Sequence, residues 1–157
     1  MRKILQQNPE IDAIDEKILR ELTRDGRISN TELAKRVGLS SSACLRRVQE
    51  LERRGVIRKY RAVLDRAKLG TGFIAYIAVG LSDHSKSAQE AFERSIATAS
   101  EVVECHNVTG TIEYLLRVEV ADLAAYKVFH TDVLGTLPQV SSITSYVVME
   151  SSKDERA

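Results

Sequence analysis

Ser29-Asn30-Thr31-Glu32-Leu33-Ala34-Lys35-Arg36-Val37-Gly38-Leu39-Ser40-Ser41-Ser42-Ala43-Cys44-Leu45-Arg46-Arg47-Val48 starts, stops and restarts a helix within a single short stretch. Ser29 reads as an N-cap, Glu32 three residues on completes a capping box, and Ile28 and Leu33 occupy the two staple positions. Gly38 ends this helix after Leu33, Ala34 and Val37. Only Gly38, Leu39 and Ser40 separate it from the next, which Ser40 caps and Gly55 stops. In the second helix Cys44, Leu45, Val48 and Leu51 form an apolar stripe. Ser42, Arg46, Gln49 and Arg53 stand opposite it, with Arg47 and Arg54 on the flank. So short a turn makes the helices cross steeply. A basic second helix can then project its early residues into a major groove about 12 Å wide.

Upstream, Ile11, Ile14, Ile18, Leu19 and Leu22 predict a first helix with Asp12 as N-cap and Asp15 near its positive end, stopped by Asp25-Gly26. Downstream, Val56-Ile57 and Tyr60 to Leu64 read as a short strand, a small wing or hinge. Charge follows this organisation. Of 157 residues with a net charge of +1, residues 1–65 carry +5 and residues 66–157 carry −4. Lys35 to Arg61 alone carries +7. A basic segment joined to an acidic one suggests a polyanion-binding module beside one with another task; a solvated charged helix face explains the charge alone equally well. Within the basic module Ser40, Ser41 and Ser42 begin the second helix, with Ser40 and Ser42 placed for phosphates. Arg46 and Arg47 are the candidates for base edges, since arginine pairs bidentately with guanine. Lys35, Arg54, Arg58 and Lys59 are expected to neutralise phosphates.

Residues beyond Gly70 alternate between strand and helix patterns. Phe73 to Leu81 reads as a strand; Ala88, Phe92, Ile96 and Ala99 recur at helical spacing; Glu101 to Thr109 is strand-like. Gly110-Thr111 marks a tight turn. From Ile112 to Val120, Tyr114, Leu116, Val118 and Val120 share one face, and Glu113, Leu115, Arg117 and Glu119 the other. Asp122 caps a helix carrying Leu123, Tyr126, Phe129 and Val133, ended by Gly135 and Pro138, and Ser142 to Met149 is the last strand. The order βαββαβ is the split βαβ of ferredoxin-like domains. Its two helices cover one sheet face, yet Phe73–Leu81 is apolar on both, so the open face is expected to pack on another subunit.

The blocks Asp25-Gly26-Arg27-Ile28-Ser29-Asn30, Glu32 to Ser40, Cys44-Leu45-Arg46-Arg47-Val48 and Gly55-Val56-Ile57 together resemble the Lrp/AsnC family of bacterial and archaeal regulators. The resemblance continues through Glu104-Cys105-His106, Val108-Thr109-Gly110, Tyr114-Leu115-Leu116 and Tyr146-Val147-Val148-Met149-Glu150, over about residues 11–150. It implies an α+β fold: an N-terminal three-helix (winged) helix-turn-helix domain followed by a βαββαβ ferredoxin-like ligand-sensing domain. The expected boundaries are 1–60, a linker or hinge strand at 61–72, 73–150, and a tail at 151–157. It also implies a cytoplasmic transcription regulator of amino-acid metabolism. Such a protein binds double-stranded DNA as a homodimer that assembles to an octamer. A free amino acid, leucine or another small one, binds between subunits, and no other cofactor is implied.

The same resemblance places the effector at the Gly110 turn, with His106, Thr111, Ile112 and Glu113 as candidates and Tyr146 and Val147 tied to the response. A zwitterion needs donors for its carboxylate and an acceptor for its ammonium. The turn supplies N–H groups, Thr111 a hydroxyl, and Glu113 the one carboxylate in 105–118. Each has a plainer reading: Ile112 as packing, His106 as a ring bonded to a backbone carbonyl, Glu113 as a structural residue. The family usually has aspartate where Glu113 stands, often an acid where Thr111 stands, and often proline and threonine where this chain has Ser41-Ser42-Ala43. Operator sequence therefore does not transfer.

Other chemistries find little support. No stretch approaches a membrane span of roughly 20 apolar residues, and Met1–Gln7 lacks the core of a signal peptide. Two cysteines, Cys44 and Cys105, make no disulfide framework, and three scattered histidines with no CxxC or HExxH make no zinc site. Gly70-Thr71-Gly72-Phe73-Ile74-Ala75 has the letters of a dinucleotide fingerprint but precedes a strand instead of opening a helix. Ser82-Asp83-His84 are loop neighbours, a turn and helix cap more than a triad. Cys105 and His106 point to opposite strand faces. With 5% aromatic residues and no Trp, base stacking on single strands fits poorly. Two classes remain: the amino-acid-responsive regulator, and a small ferredoxin-like amino-acid-binding protein or enzyme with an incidental helical domain. Salt-dependent duplex binding separates them from turnover.

Overall fold

The structure, a computed structural model, describes residues 11–153. It divides into two compact units with the boundary between Ala62 and Val63. The first holds three helices, α1 (Ala13–Arg24), α2 (Asn30–Val37) and α3 (Ser41–Arg53). Asp12 caps α1 by accepting from the Ile14 and Asp15 N–H groups, and Asp15 reaches back to close a capping box. Ser29 caps α2 by accepting from Glu32 N, but the Glu32 carboxylate turns outward to take Arg36 Nε at 3.0 Å. Gly38 closes α2 at φ 78°, which favours glycine. Ser40 caps α3 through Ala43 N. Ile18, Leu33, Ala34, Val37, Cys44 and Leu51 form the core, with Ile28 and Val48 packed against it. Leu45 departs from the expected stripe and is 46% exposed.

The strand expected at Val56–Leu64 does not form among the described residues. Val56 and Ile57 instead fold back, their N–H groups donating to Leu51 O, and pack on the helical core. Residues 61–65 are exposed and have no neighbouring strand among the described residues to complete a ladder.

The second unit holds β1 (Phe73–Leu81), α4 (Lys86–Ala97), β2 (Val102–Asn107), β3 (Tyr114–Val120), α5 (Leu123–Val128) and β4 (Val140–Val147). After α5 the helix widens over Phe129–Val133 and tightens over Leu134–Thr136 before β4. The sheet is antiparallel in the order β2-β3-β1-β4, the ferredoxin-like arrangement. Ala75, Ile77 and Val79 of β1 and Tyr114, Leu116 and Val118 of β3 meet Phe92 and Ile96 of α4 and Tyr126 and Phe129 on this core face. On the other face Tyr76 pairs with Tyr146 of β4, both exposed, so the unit leaves aromatic surface on its open side.

Candidate DNA-binding and effector sites

The turn joining α2 to α3 is held from both sides. Asn30 Nδ2 donates to Ser41 O at 2.7 Å, tying the start of α2 to the start of α3. Ser40 Oγ accepts from Ala43 N and lies 3.3 Å from Ser42 Oγ. Ser40, Ser41 and Ser42 are all exposed, at the helix end where N–H groups and the helix dipole favour phosphate. Arg46, one turn further along α3, is exposed, and no hydrogen bond or ion pair engages it among the described residues. Arg47, its neighbour, is engaged: Nη1 donates to Asp12 Oδ2 at 2.7 Å and to Asp15 Oδ1 at 2.8 Å. Arg47 thus ties α3 to the N-terminus of α1. The Asp15 backbone N–H, then the Arg47 guanidinium, hold the Asp12 carboxyl below the usual aspartate value. Lys35, Arg58 and Lys59 are exposed, and Arg54 is the half-exposed C-cap of α3. Arg58 and Lys59 rim a groove of about 500 Å³ floored by Leu19, Leu22, Val56 and Ile57.

The effector candidates sit on the segment from β2 to β3. Gly110 has φ 140°, and nothing lies within 4 Å of where a Cβ would stand, so the turn is open to close approach. Thr111 is exposed and Ile112 half-buried. Glu113 is engaged at both carboxylate oxygens: Leu81 N donates to Oε2 at 2.6 Å, and His84 Nδ1 lies 2.9 Å from Oε1. Its backbone N–H donates to Val79 O, and its carbonyl accepts from Val108 N. Glu113 thus fastens the turn to the end of β1, where the β1–β4 register shifts. An ammonium at Oε1 would share that oxygen with His84 or displace it. His84 is the residue that sequence reasoning passed over. Its partner Glu113 stands far along the chain, just before the neighbouring strand β3, and gave no local signal for it. His106 rests on a carboxylate instead of a backbone carbonyl, with Nε2 3.2 Å from Glu104 Oε2.

Tyr146 and Val147 are not brought to this turn within the chain. They pair with Tyr76 and Ala75, while the turn meets β1 at Val79 and Leu81. That separation along β1 is roughly 13 Å. Among the described residues no cluster of three or more His, Cys, Asp or Glu side chains is arranged to hold a metal ion, and no helix is long and apolar enough to cross a membrane.

Residues 11–58 match the winged helix-turn-helix DNA-binding family, and residues 74–157 match the Lrp/AsnC ligand binding domain. The chain belongs to the Lrp/AsnC family. It is 42% identical over 144 residues to the leucine-responsive regulatory protein of Escherichia coli, covering 92% of this chain and 88% of that one. A transcriptional regulator of Neisseria meningitidis, solved as its L-Met complex, superposes with a TM-score of 0.88 at 37% identity, over 92% of this chain and 93% of that chain. A feast or famine regulatory protein of M. tuberculosis, complexed with L-methionine, gives 0.79 at 32% identity, over 93% and 97%. Membership makes this Lrp/AsnC protein a DNA-binding transcription regulator with a C-terminal ligand-binding domain, and favours that class over the metabolic-enzyme alternative.

Proposed function

We propose that this Lrp/AsnC regulator binds double-stranded DNA through α3 as a cytoplasmic homo-oligomer, and that a free amino acid at the 106–113 turn modulates that binding. The observation that carries the first part is the capped, exposed start of α3, where Ser40–Ser42 face outward and Arg46 has no partner among the described residues. Ser40 and Ser42 take phosphates, Arg46 reads a base edge, and Lys35, Arg54, Arg58 and Lys59 neutralise the backbone. Support for the second part comes from the two relatives solved with L-methionine. In this chain the turn offers backbone N–H groups at Gly110, the Thr111 hydroxyl and the exposed His106 ring for a carboxylate. Glu113 takes the ammonium beside His84 or in its place, and Ile112 walls the side chain. The open turn lacks an enclosing wall of its own, which a second copy supplies. Tyr146 and Val147 act from that second copy or through the exposed sheet face they occupy. The paired Tyr76 and Tyr146 rings favour a dimer closed through that face.

The test is duplex binding followed by fluorescence anisotropy across a salt series, with and without L-methionine and L-leucine. A steep salt dependence that either amino acid shifts supports the reading. Salt-insensitive or absent duplex binding contradicts its first half. A thermal-shift screen of the twenty amino acids in which none raises the melting temperature contradicts its second half.

A further inference from the structure

Four charged side chains alternate in sign across the sheet face that α4 and α5 leave uncovered, and a histidine ends the row. Arg66 Nε lies 3.0 Å from Glu119 Oε2, and Glu119 Oε1 lies 3.0 Å from Arg117 Nη1. The same Arg117 Nη1 lies 4.0 Å from Glu104 Oε1, and Glu104 Oε2 lies 3.2 Å from His106 Nε2. The middle of this ladder is buried, with Glu119 2% and Arg117 6% exposed at the side chain, while Arg66 is 35% and His106 55% exposed. Buried ions are costly to keep unless each is paired, so the members hold one another in place. Arg117 is shared between Glu119 and Glu104. A change at the His106 end therefore redistributes charge at the Arg66 end.

Arg66 stands in the connector. Its turn is self-supporting: Leu69 N donates to Asp65 O, Gly70 N to Ala67 O and Thr71 N to Arg66 O. On the other side of the connector, Tyr60 is fixed to its own unit, its hydroxyl donating to Glu52 Oε1 at 2.9 Å. Between the two fixed points run residues 61–65, all exposed. Arg66 thus ties the connector to β3 ahead of the start of β1.

We propose that Arg66 is the positioning residue that couples the effector turn to DNA binding. The ladder from His106 through Glu104, Arg117 and Glu119 governs how firmly Arg66 holds the connector on the sheet. This rests on the preceding reading, that an amino acid binds at the 106–113 turn and that paired DNA-binding units act together. In a dimer the second unit's contact is intramolecular, and its effective concentration depends on connector length. Releasing Arg66 lets the 65–71 turn leave the sheet with its backbone hydrogen bonds intact, which lengthens the mobile span and lowers that effective concentration. Effector occupancy that pulls His106 from Glu104 lets Glu104 compete for Arg117. It thereby changes the share of Glu119 left for Arg66. The two discrete arrangements that both sites bias are connector held and connector released.

The experiment compares wild type with Arg66→Met and Arg66→Lys, on a duplex recovered by in-vitro selection with wild type. Duplex affinity is measured with and without saturating L-methionine, and L-methionine affinity by calorimetry. Expected for Arg66→Met are L-methionine still bound, with its affinity shifted by no more than the wild-type ratio, severalfold weaker duplex binding, and a ratio of affinities with and without L-methionine that collapses to one. Arg66→Lys, which keeps the charge, restores the ratio. Arg66→Gln reads the same way if the methionine variant fails to fold. A wild-type ratio in Arg66→Met overturns the inference, as does loss of L-methionine binding, which would place Arg66 in the pocket itself. A wild type that binds no L-methionine, or binds it with no change in duplex affinity, overturns the parent reading as well; the calorimetry and the wild-type ratio distinguish that failure from the first.

Discussion

The two units use charge in opposite ways. In the first, the basic side chains of α3 and the segment after it stay in water, and the ion pairs are mostly surface pairs such as Arg53–Glu50 and Arg36–Glu32. In the second, Arg117 and Glu119 are withdrawn from water on a sheet face that carries no helix. Exposed charge attracts a polyanion over a distance and contributes little to stability. Buried charge attracts nothing from solution but fixes geometry, because breaking it leaves an ion without compensation. One unit is built to meet DNA; the other spends its charge on holding the sheet and connector together.

The largest expected effect breaks the buried half of this comparison. Glu119→Ala leaves Arg117 without its nearest carboxylate and frees Arg66, and should cost about 3–5 kcal/mol of stability in the second unit. Chemical denaturation read by near-ultraviolet circular dichroism of its tyrosines measures this. Replacing the pair together, Arg117→Met with Glu119→Leu, should recover most of the loss, since apolar residues of similar volume fill such a site without a desolvation penalty. A single substitution costing under about 1 kcal/mol would show that the ladder is dispensable.

Next in size is the exposed half. Arg46→Ala should relax sequence preference by roughly 1–3 kcal/mol while leaving the fold intact. Arg47→Ala should do the reverse. It removes the tie from α3 to Asp12 and Asp15 and should lower the stability of the first unit by about 1 kcal/mol, with little change in preference among duplexes. Competition binding against mismatched duplexes, alongside thermal melts, separates the two neighbours. Arg46→Ala without loss of discrimination would move the base reader elsewhere on α3.

Why these neighbours were not distinguishable in sequence is instructive. Helix starts were legible because caps are local: Asp12, Ser29, Ser40 and Asp122 each accept from N–H groups two or three residues on. The bounds of β1 were legible because a continuous apolar run needs no partner to be recognised. The role of Arg47 depends on Asp12, far along the chain, and helical periodicity says nothing about that distance. Period-two alternation placed Arg117 and Glu119 on the correct face, but neither their burial nor the ion pair from Arg66 to Glu119. The expected strand at Val56–Leu64 failed for a related reason: β-propensity without a ladder partner does not make a strand. At the effector turn, Gly110 was legible as a turn, whereas the engagement of Glu113 by Leu81 and His84 required the fold.

A smaller effect tests the phosphate-facing residues. Lys59→Ala should weaken binding to all duplexes alike and reduce the slope of log affinity against log salt by about 0.9, the share of one released counterion. Anisotropy titrations at several salt concentrations read the slope directly. An unchanged slope would mean that Lys59 lies off the DNA path.

The smallest effect is a pH dependence in the first unit. The Asp15 backbone N–H and the Arg47 guanidinium lower the Asp12 carboxyl below its ordinary value of 3.8. A carboxyl depressed in the folded state binds fewer protons there than in the unfolded chain. Its contribution is therefore fully present above the unfolded value and is lost as pH falls through the folded one. Stability of the first unit should thus be flat with respect to this group near neutrality and decline below about pH 4. Asp12 is half-exposed, so solvent screening keeps the effect small. Asp12→Asn retains a capping oxygen but cannot titrate, so the difference between wild type and this variant should shrink as pH falls. Paired thermal melts from pH 7 to pH 3 measure that difference. A gap that stays constant over the range would mean that Asp12 contributes through its cap alone and that the charge on Arg47 is answered by Asp15.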